Sequence, residues 1–588
     1  MSLTKVSYSM VRDAPINIKD YGAVGDGATD DTAAIKLAFA AGAGKSVYIP
    51  SGTYLIWKDP ADNSVWLPIS DDTEIFGDGE SSIIKIKTGW VSGGPFIYNT
   101  PFLLPSRIYL HDFTIDGNRA NITAPPESIS NIYIINSTDI ICNNIKSINP
   151  SNDCFTIGAA GSPSNFGAVR ASITNCIADN PGRSCYVCTN GTEIIISNNF
   201  GKNPNNSFID LETDIANDVI RNVSITGNVC VKDTGYVTMF GCSGPGTQEN
   251  IVFSGNIITG TNGIGLGINK NCTITDNVLT VTGVLNNGYV IECISGFING
   301  VISNNTIEIL NGIDAGGMWI RDATNVSICG NTIINSKGPK RVINVDVSLS
   351  ADPGSAQISD NTIRNCSAVS GIFASSNKRC TVVGNYIEVT TGCTSAIRLT
   401  GGDNMIASSN IIIDLASVCI GIDCAADTNV VVSNNSITGC AEGIDILGAN
   451  ATVAGNSMFG CGTGIGNRGN FNTFSNNKIS NSTATGVIIT SGTNTIFNGN
   501  TILNSVGIGL DVASGSITIS SNIITDDQTP KTQTYAVKSY GGVNNFIISN
   551  NDLSGNLTGA LLNVNPANYW PTTGAGFGTD VANFNRTV

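Results

Sequence analysis

Acidic, basic and aromatic residues gather in the middle of this chain, at positions where strand alternation predicts an outward side chain. Glu292, Arg321 and Asp346 fall on what we align as three consecutive repeats, and Trp319 and Phe373 lie beside them. Sugars stack on flat aromatic faces and are cleaved between paired carboxylates. The pattern indicates cleavage of a glycan, with Glu292 as the acid and Asp346 as the base.

The spacing of this pair also predicts a mechanism. Two strand spacings would separate the Cα atoms of Glu292 and Asp346 by about 9–10 Å, which suits an inverting pair with room for a water molecule. Arg321 between them would keep one carboxylate ionised while the other stays protonated. Together with Trp319 and Phe373, the arginines Arg321 and Arg398 are expected to bind the substrate. A surface ion ladder without chemistry remains the alternative.

A second pair of acids stands on one predicted strand. Asp210 and Glu212 lie at positions i and i+2, so they share a face at about 7 Å between Cα atoms. They could form a catalytic pair or, with carbonyl oxygens, a calcium site. No set of residues has the spacing of a metal centre, and we expect no metal or cofactor. The single histidine, His111, is expected to be structural.

The elements that must position these residues follow from a repeat of the form apolar-x-x-Asn-x-apolar. Its spacing is 21 to 32 residues, and such a fixed short period is typical of stacked repeats that bury one continuous core. β-branched residues alternate with small polar ones, which predicts strands. An asparagine amide donates and accepts at once, so stacked asparagines can bond from coil to coil. The aligned asparagines are Asn144, Asn199, Asn228, Asn256, Asn277, Asn305, Asn331, Asn361, Asn385, Asn410, Asn435, Asn456, Asn477, Asn500, Asn522 and Asn551, and Cys176 takes the place of one.

The predicted fold is therefore an all-β, single-stranded parallel β-helix with a capping helix near the N-terminus. The helix is expected from about Asp30 to Ala41, with Thr29 or Asp30 as its N-cap, acids in its first turn and Gly42 at its end. Its apolar side would be formed by Ile35, Leu37, Ala38 and Phe39. We expect an N-terminal arm at 1–17, the helix and irregular coils at 18–140, regular coils at 141–553 and a closing segment at 554–588.

The composition of the chain limits which kinds of molecule it can bind and where it folds. The net charge of −15 makes nucleic acid an unlikely ligand, and no apolar run reaches membrane-spanning length. The N-terminus lacks the features of a signal peptide. The seventeen cysteines, among them Cys185, Cys293 and Cys424 at inward positions, are expected to be reduced core residues. These observations predict folding in a cytoplasm.

The segment Asp20–Ile35 reads D-Y-G-A-V-G-D-G-A-T-D-D-T-A-A-I. It resembles the N-terminal signature of the pectate-lyase-like right-handed β-helix family that includes phage tailspikes and capsule depolymerases. The lead-in from Val6 to Ile18 is similar as well. In Asn152-Asp153-Cys154 the chain also resembles part of the N-T-D phrase of polygalacturonases, but the rest of that pattern is missing.

The resemblance implies a homotrimeric spike on a virion tail that binds and usually cleaves a bacterial surface polysaccharide. The N-terminal arm would then attach to other phage tail proteins, and trimer contacts would come from the helix faces and the closing segment. Three functions stay open: a glycosidase with paired carboxylates, a polysaccharide lyase, and a receptor-binding spike without enzymatic activity. A lyase would need a base near the sugar C5 proton and a group, such as Arg321 or Arg398, to neutralise a uronate.

Overall fold

The computed structural model describes residues 14–57, 67–89, 97–99, 106–123, 129–159, 167–232, 238–261, 263–267, 269–283, 288–294, 296–310, 312–347, 355–375, 379–425 and 428–563. The arm expected at 1–17 and the closing segment expected at 554–588 therefore lie largely outside the described residues. The chain forms two compact units, residues 1–286 with 291–295 and residues 287–290 with 296–588.

Each unit is a parallel β-helix, as the repeat predicts. Every coil contributes one short strand to each of three parallel sheets, and each strand pairs with the strands one coil before and one coil after it. We number the sheets in the order in which a coil passes through them, so that the asparagine repeat lies between the second and third sheets. Residue Ile16 already belongs to the second sheet, and strand Thr138–Asn143 spans the boundary expected at 141.

In the first unit the strands are short and regular. The first sheet holds Leu67–Ile69, Ile97–Asn99, Ile132–Ile135, Phe155–Gly158, Tyr186–Cys188, Ser207–Glu212, Thr238–Ser243, Ile264–Leu266 and residues 291–293 of Tyr289–Cys293. The second holds Ile16–Asn17, Ser46–Ile49, Glu74–Gly77, Ser106–His111, Thr138–Asn143, Ala168–Thr174, Gly191–Ser197, Val219–Thr226, Thr247–Ser254 and Asn269–Thr275. The third holds Asp26–Asp30, Gly52–Ile56, Ser82–Ile86, Thr114–Asp116, Lys146–Ile148, Ile177–Asp179, Phe200–Lys202, Val229–Val231, Ile257–Gly260 and Val278–Val281.

In the second unit some strands bend from one sheet into the next. The first sheet holds Gly316–Ala323, Lys337–Val347, the end of Thr362–Ser375, Ser395–Thr400, Ile420–Ala425, Glu442–Ile446, Thr463–Asn467, Val487–Ile489, the starts of Ile508–Ser520 and Tyr535–Ser549, and Gly559–Asn563. The second holds Val301–Ser303, Val326–Cys329, Ser355–Ser359, Arg379–Val383, Ile406–Ser408, Val431–Ser433, Thr452–Ala454, Thr473–Ser475, Thr495–Asn498 and the ends of Ile508–Ser520 and Tyr535–Ser549, with Phe297–Ile298 just before it. The third holds Thr306–Ile309, Thr332–Ile334, the start of Thr362–Ser375, Tyr386–Val389, Ile411–Asp414, Ser436–Thr438, Ser457–Phe459, Lys478–Ser480, Thr501–Leu503 and Ile523–Thr525.

The asparagine ladder forms as predicted. In the second unit the Nδ2 atom and the backbone N–H of Asn410 both donate to Asn435 Oδ1, at 2.9 Å each, and the same contacts recur from Asn305 to Asn551. Each amide also donates to a backbone carbonyl, so the buried polar groups are satisfied. Cys176 does replace one asparagine, and its backbone N–H donates to Asn199 Oδ1.

The place assigned to Asn144 was wrong by one residue. The strand pairing sets Lys146 beside Ile177, so the ladder position of that coil is Ile145. Asn144 instead takes the left-handed turn position before the ladder, with φ 52°. Two asparagines in sequence can fill either position, because asparagine suits both a buried amide ladder and positive φ.

The capping helix α1 spans Thr32–Ala41 and ends at Gly42 as expected, but it begins two residues late. Asp31 is the N-cap residue, and its buried carboxylate accepts hydrogen bonds from Val24 and Gly25 rather than from the helix. The expected acids of the first turn are absent, and Leu37 is 60 % exposed. The helix buries Ile35, Ala38 and Phe39.

All seventeen cysteines are free thiols, and all but Cys329 are buried, as expected of core residues. His111 is also structural. Its ring stacks on Tyr109 at 4.1 Å between centroids, and its nitrogens contact Asp112 and Glu74. Over the described residues, none of the helices has the length and apolar character needed to cross a membrane.

Candidate functional site

Three consecutive coils of the first unit bring four charged residues together on the first sheet. Asp153 lies just before strand Phe155–Gly158, and Arg183 just before Tyr186–Cys188, while Asp210 and Glu212 stand on Ser207–Glu212. The register pairs Asp210 with Val187, one coil earlier. We call Asp153, Arg183, Asp210 and Glu212 the first cluster.

Arg183 holds the first cluster together. Its Nε and Nη2 atoms donate to the two oxygens of Asp153, at 2.9 and 3.2 Å, and its Nη1 atom donates to Glu212 Oε2 at 3.3 Å. Asp153 is 1 % exposed and also accepts from the backbone of Ser184 and the hydroxyl of Thr156. A buried carboxylate with this many donors is fixed in place, so Arg183 is fixed as well.

The two acids on the strand have different surroundings. Asp210 is buried, and this burial raises its pKa to about 7, with the negative charge of Glu212 adding to the rise and Arg183 opposing it. The Glu212 side chain is 41 % exposed and is paired with Arg183. One carboxyl that holds its proton near neutral pH beside one bonded to a guanidinium is the division of roles that an acid and a base require.

Two further groups border the first cluster. Burial raises the pKa of Tyr133 to about 12, and the charges of Tyr98, Asp214 and Asp153 add to the rise. Burial also raises the pKa of Asp214, which lies near Asp218 and Glu212. Negative charge is therefore concentrated here, and Arg183 is the cation that offsets it.

The register sets the position of Glu292 on the first sheet. The pairing places Gly241, Gly265 and Glu292 on successive coils in line with Asp210. Phe240 points inward and stacks on Phe253 at 4.8 Å between centroids. An odd shift in register moves a side chain to the opposite face of a strand, and sequence phrases alone do not fix that shift.

Three of the four predicted substrate-binding residues, all but Arg321, lie in a row on the first sheet of the second unit. Trp319, Asn344, Phe373, Arg398 and Asp423 occupy the same outward position on five successive coils. Asp423 therefore stands in line with Arg398. We call these five residues the outward row.

The aromatic faces in this row are already covered. The Arg321 guanidinium lies 3.5 Å from the centroid of the Trp319 ring, and Arg341 lies 3.3 Å from that of Phe373. The indole N–H of Trp319 donates to Asp346 Oδ2 at 2.9 Å. The predicted base thus orients an aromatic ring. A sugar could stack on these rings only by displacing the arginines.

The predicted pair of Glu292 and Asp346 stays a prediction, because Glu292 belongs to the first unit and Asp346 to the second. Of the predicted catalytic residues, the structure brings Asp210 and Glu212 together. It adds Arg183, which the sequence analysis missed, and Asp153, which matched only part of a known phrase. Their spacing was an available signal, since Arg183 lies 30 residues after Asp153 and 29 before Glu212, one repeat in each direction.

Metal binding is disfavoured at the first cluster and at the one group of described residues whose ligand atoms lie close enough together to hold a metal ion. At the first cluster Arg183 already supplies positive charge to the carboxylates. The second place is Asp414 with Cys419 and Cys440, all buried. There the Asp414 oxygens already accept four backbone N–H groups, from residues 416–419.

Comparison with known proteins agrees with this architecture. Residues 15–319, just over half of the chain, match the family described as rhamnogalacturonase A/epimerase, pectate lyase-like. Residues 299–458 and 421–570 match the right-handed β-helix region family, which establishes the hand of the coil.

Two kinds of curated relatives are similar in sequence. A pre-neck appendage protein of Bacillus phage B103 is 27% identical over 263 residues, covering 42% of this chain and 29% of that protein. The mannuronan C5-epimerase AlgE3 of Azotobacter vinelandii is 38% identical over 126 residues, covering 20% of this chain and 7% of that protein. The matches thus span less than a third of either relative.

Two solved structures are similar to this chain at low sequence identity. The N-terminal fragment of the bacteriophage phi29 gene product 12 superimposes with a TM-score of 0.48 at 15% identity, covering 95% of this chain and 96% of that chain. The AlgE6 A-module of Azotobacter vinelandii gives a TM-score of 0.36 at 16% identity, covering 71% and 98%.

Proposed function

Because the chain belongs to the rhamnogalacturonase A/epimerase, pectate lyase-like family, we propose that it is a virion-associated enzyme that binds and hydrolyses a bacterial surface polysaccharide. The observation that carries this proposal is the first cluster. A buried Asp210 with a pKa of about 7 stands beside an exposed Glu212 that is paired with Arg183. The similarity to a phage pre-neck appendage protein supports the virion location.

In this proposal Asp210 protonates the glycosidic oxygen as the bond to the anomeric carbon breaks. Glu212 takes a proton from the water molecule whose oxygen attacks that carbon. Arg183 donates a hydrogen bond to Glu212 and holds it in position, and Asp153 holds Arg183 in position. General acid catalysis of this kind is worth about 10²–10⁴ in rate.

The test is to incubate the protein with purified surface polysaccharides from a panel of bacterial strains and to measure new reducing ends and oligosaccharide masses. We expect Asp210→Asn and Glu212→Gln each to lower the initial rate at least about tenfold. Glu193→Gln, an exposed acid on the second sheet of the same unit, is the matched control and should leave the rate unchanged. Binding of a polysaccharide without new reducing ends would instead identify a receptor-binding spike.

A lyase is the second candidate, because the sequence relatives include mannuronan C5-epimerases and an alginate lyase. In a lyase Arg183 would neutralise a uronate and a base of the first cluster would remove the C5 proton. The ultraviolet absorbance of an unsaturated product separates this reaction from hydrolysis, which gives none.

We also propose that three copies of the chain assemble as a homotrimer. In this proposal the homotrimer is attached to other tail proteins of the virion. Support comes from the third sheet of the first unit, where Phe200, Ile257 and Val278 are 39–52 % exposed. They occupy one outward position, together with Val229 between them. Apolar rows of this kind mark interaction surfaces. Sedimentation of the wild type and of Ile257→Asn tests this, and a monomeric wild type would refute it.

A further inference from the structure

A second group of acids lies on the first sheet of the second unit, past the end of the outward row. The register places Asp423, Asp445 and Gly466 at one outward position on successive coils. Glu442 starts the strand of Asp445. Because Gly466 has no side chain, it leaves a gap in this line, and two carboxylates turn into the gap. Measured from the point where a Cβ at Gly466 would stand, Glu442 Oε1 lies at 2.0 Å and Asp445 Oδ1 at 3.2 Å.

The side chain of Asp445 is more than nine-tenths buried, and only one of its two carboxylate oxygens accepts a hydrogen bond from the described residues. Its Oδ2 atom accepts a hydrogen bond from Arg468 Nη1 at 2.7 Å, and its side chain is 2 % exposed. The Oδ1 atom that faces the gap is buried and has no hydrogen-bond donor among the described residues. A buried carboxylate oxygen without a donor is costly. The gap is thus a place for a proton, a water molecule or a sugar hydroxyl.

The charged residues around the gap are of the same types as those of the first cluster. In both groups one arginine bonds a buried aspartate and reaches a second carboxylate. Here Arg468 lies 4.0 Å from Glu442 Oε2. Asp423 is the third acid, and Arg398 Nε lies 3.5 Å from its Oδ2 atom. Burial raises the pKa of Glu442 to about 7, and the charges of Asp445 and Asp423 add to the rise while Arg468 opposes it. A carboxyl with that pKa supports the geometric argument.

We propose that Glu442 and Asp445 form a second acid–base centre for cleaving glycosidic bonds, independent of the first cluster. The inference rests on the proposed function, since it assumes that the chain acts on a glycan. Glu442 gives its proton to the glycosidic oxygen as the bond to the anomeric carbon breaks. Asp445 Oδ1 forms a bond to that carbon, and a water molecule that loses its proton to Glu442 then displaces Asp445 from it. Arg468 is a positioning residue, because its hydrogen bond to Asp445 Oδ2 fixes that carboxylate.

The first arm of the test needs no substrate. Protein labelled with ¹³C at glutamate side-chain carboxyls is titrated by NMR. We expect one carboxyl to stay protonated at pH 6, to titrate near pH 7, and to be missing from Glu442→Gln. In Asp445→Asn the same signal should titrate lower, because a negative neighbour has been removed. If every glutamate carboxyl titrates in its ordinary range, the centre does not exist.

The second arm measures cleavage of the polysaccharide that the wild type degrades, with polymannuronate and dextran as acidic and neutral test polymers. We expect Asp210→Asn to leave residual release of reducing ends, and Asp210→Asn with Glu442→Gln to fall at least tenfold below Asp210→Asn alone. Asp511→Asn is the matched control, because Asp511 occupies the same outward position two coils after Gly466 but has no second acid beside it. It should leave the residual rate unchanged.

The outcomes separate the two proposals. If Asp210→Asn alone removes all cleavage, the first cluster is the sole centre and the further inference is refuted while the proposed function stands. If the wild type cleaves no polymer but Glu442 still titrates near pH 7, the pair shares a proton without acting on glycans, and both proposals fail. Loss of the residual rate in the double variant, with normal folding by circular dichroism, supports the second centre.

Discussion

The first cluster and the outward row present similar residue types in opposite arrangements. In the first cluster one arginine is bonded to carboxylates, and the acids around it are either buried or held. Beside the outward row, Arg321 and Arg341 lie on aromatic rings, and no carboxylate of the described residues pairs with Arg341. Within the row, Arg398 lies 3.5 Å from Asp423. In the first cluster burial raises the pKa of Asp153 and of Asp210 while Arg183 opposes the rise, whereas a guanidinium that lies on a ring provides packing. Residue types alone therefore do not distinguish the proposed catalytic site from the outward row. The difference lies in whether an arginine contacts a carboxylate or an aromatic ring.

Removing the arginine should have its largest effect in the first cluster. Arg183→Gln leaves the buried Asp153 without its charge partner, so we expect a loss of about 3–5 kcal/mol in the free energy of unfolding. Chemical denaturation of the purified protein measures this. The matched control is Arg170→Gln, which breaks an exposed pair with Asp139 in the same unit and should leave the denaturation midpoint where it is.

If Arg183→Gln unfolds no more easily than Arg170→Gln, then Asp153 is neutral in the folded protein. The proposed difference between the first cluster and the outward row would then be contradicted. Arg183→Lys sharpens the point. It retains the charge but cannot form the two parallel hydrogen bonds, so partial recovery of stability is expected.

The next largest loss of stability is expected from a substitution in the asparagine ladder of the second unit. Asn410→Ala removes the acceptor of two hydrogen bonds from Asn385 and the donor to Val382, all in the buried ladder. We expect a loss of about 3 kcal/mol in the free energy of unfolding, because buried donors are left unpaired. Asn365→Gly is the control, since Asn365 is exposed and has φ 53°, which glycine adopts freely. Equal stability of the two variants would contradict a structural role for the ladder.

The pH dependence tests the first cluster directly. Since the folded pKa of Asp210 is about 7, the acid form is present below that pH and the cleavage rate should fall as pH rises through 7. The same raised pKa means that the folded protein binds more protons than the unfolded chain between about pH 4 and 7, so stability falls as pH rises across this window. Asp210→Asn should flatten this part of the stability profile. If the stability profile of Asp210→Asn has the same slope as that of the wild type over this window, the pKa of Asp210 is not raised.

The smallest effect is expected in the outward row. Phe373→Leu removes the ring beneath Arg341 but keeps an apolar side chain, so we expect a loss of about 1 kcal/mol in the free energy of unfolding. The cleavage rate should change less than twofold. If Phe373→Leu instead abolishes binding of the polysaccharide while the protein stays folded, the outward row is a sugar platform after all, and the contrast between the regions must be redrawn.

The sequence by itself determined the coil. A period near 25 residues, strand alternation and an asparagine at each turn require stacked parallel strands with buried amides, because no other arrangement satisfies both the apolar side chains and the amide groups. The helix end at Gly42 and the buried cysteines followed from equally local rules. The start of the helix did not, because Asp31 is held by backbone groups of residues 24 and 25, which a helix signal cannot reveal.

Only the tertiary structure decided which side chains meet. Neighbours on adjacent coils are set by the exact length of each connection, and a one-residue difference turns a side chain from the surface to the core, as Phe240 shows. It was the pairing of strands that brought Arg183 to Asp153 and Glu212, covered Phe373 with Arg341, and turned Glu442 and Asp445 into the space above Gly466. Contacts between coils depend on the register of the backbone, and a single repeat of the sequence carries no measure of that register.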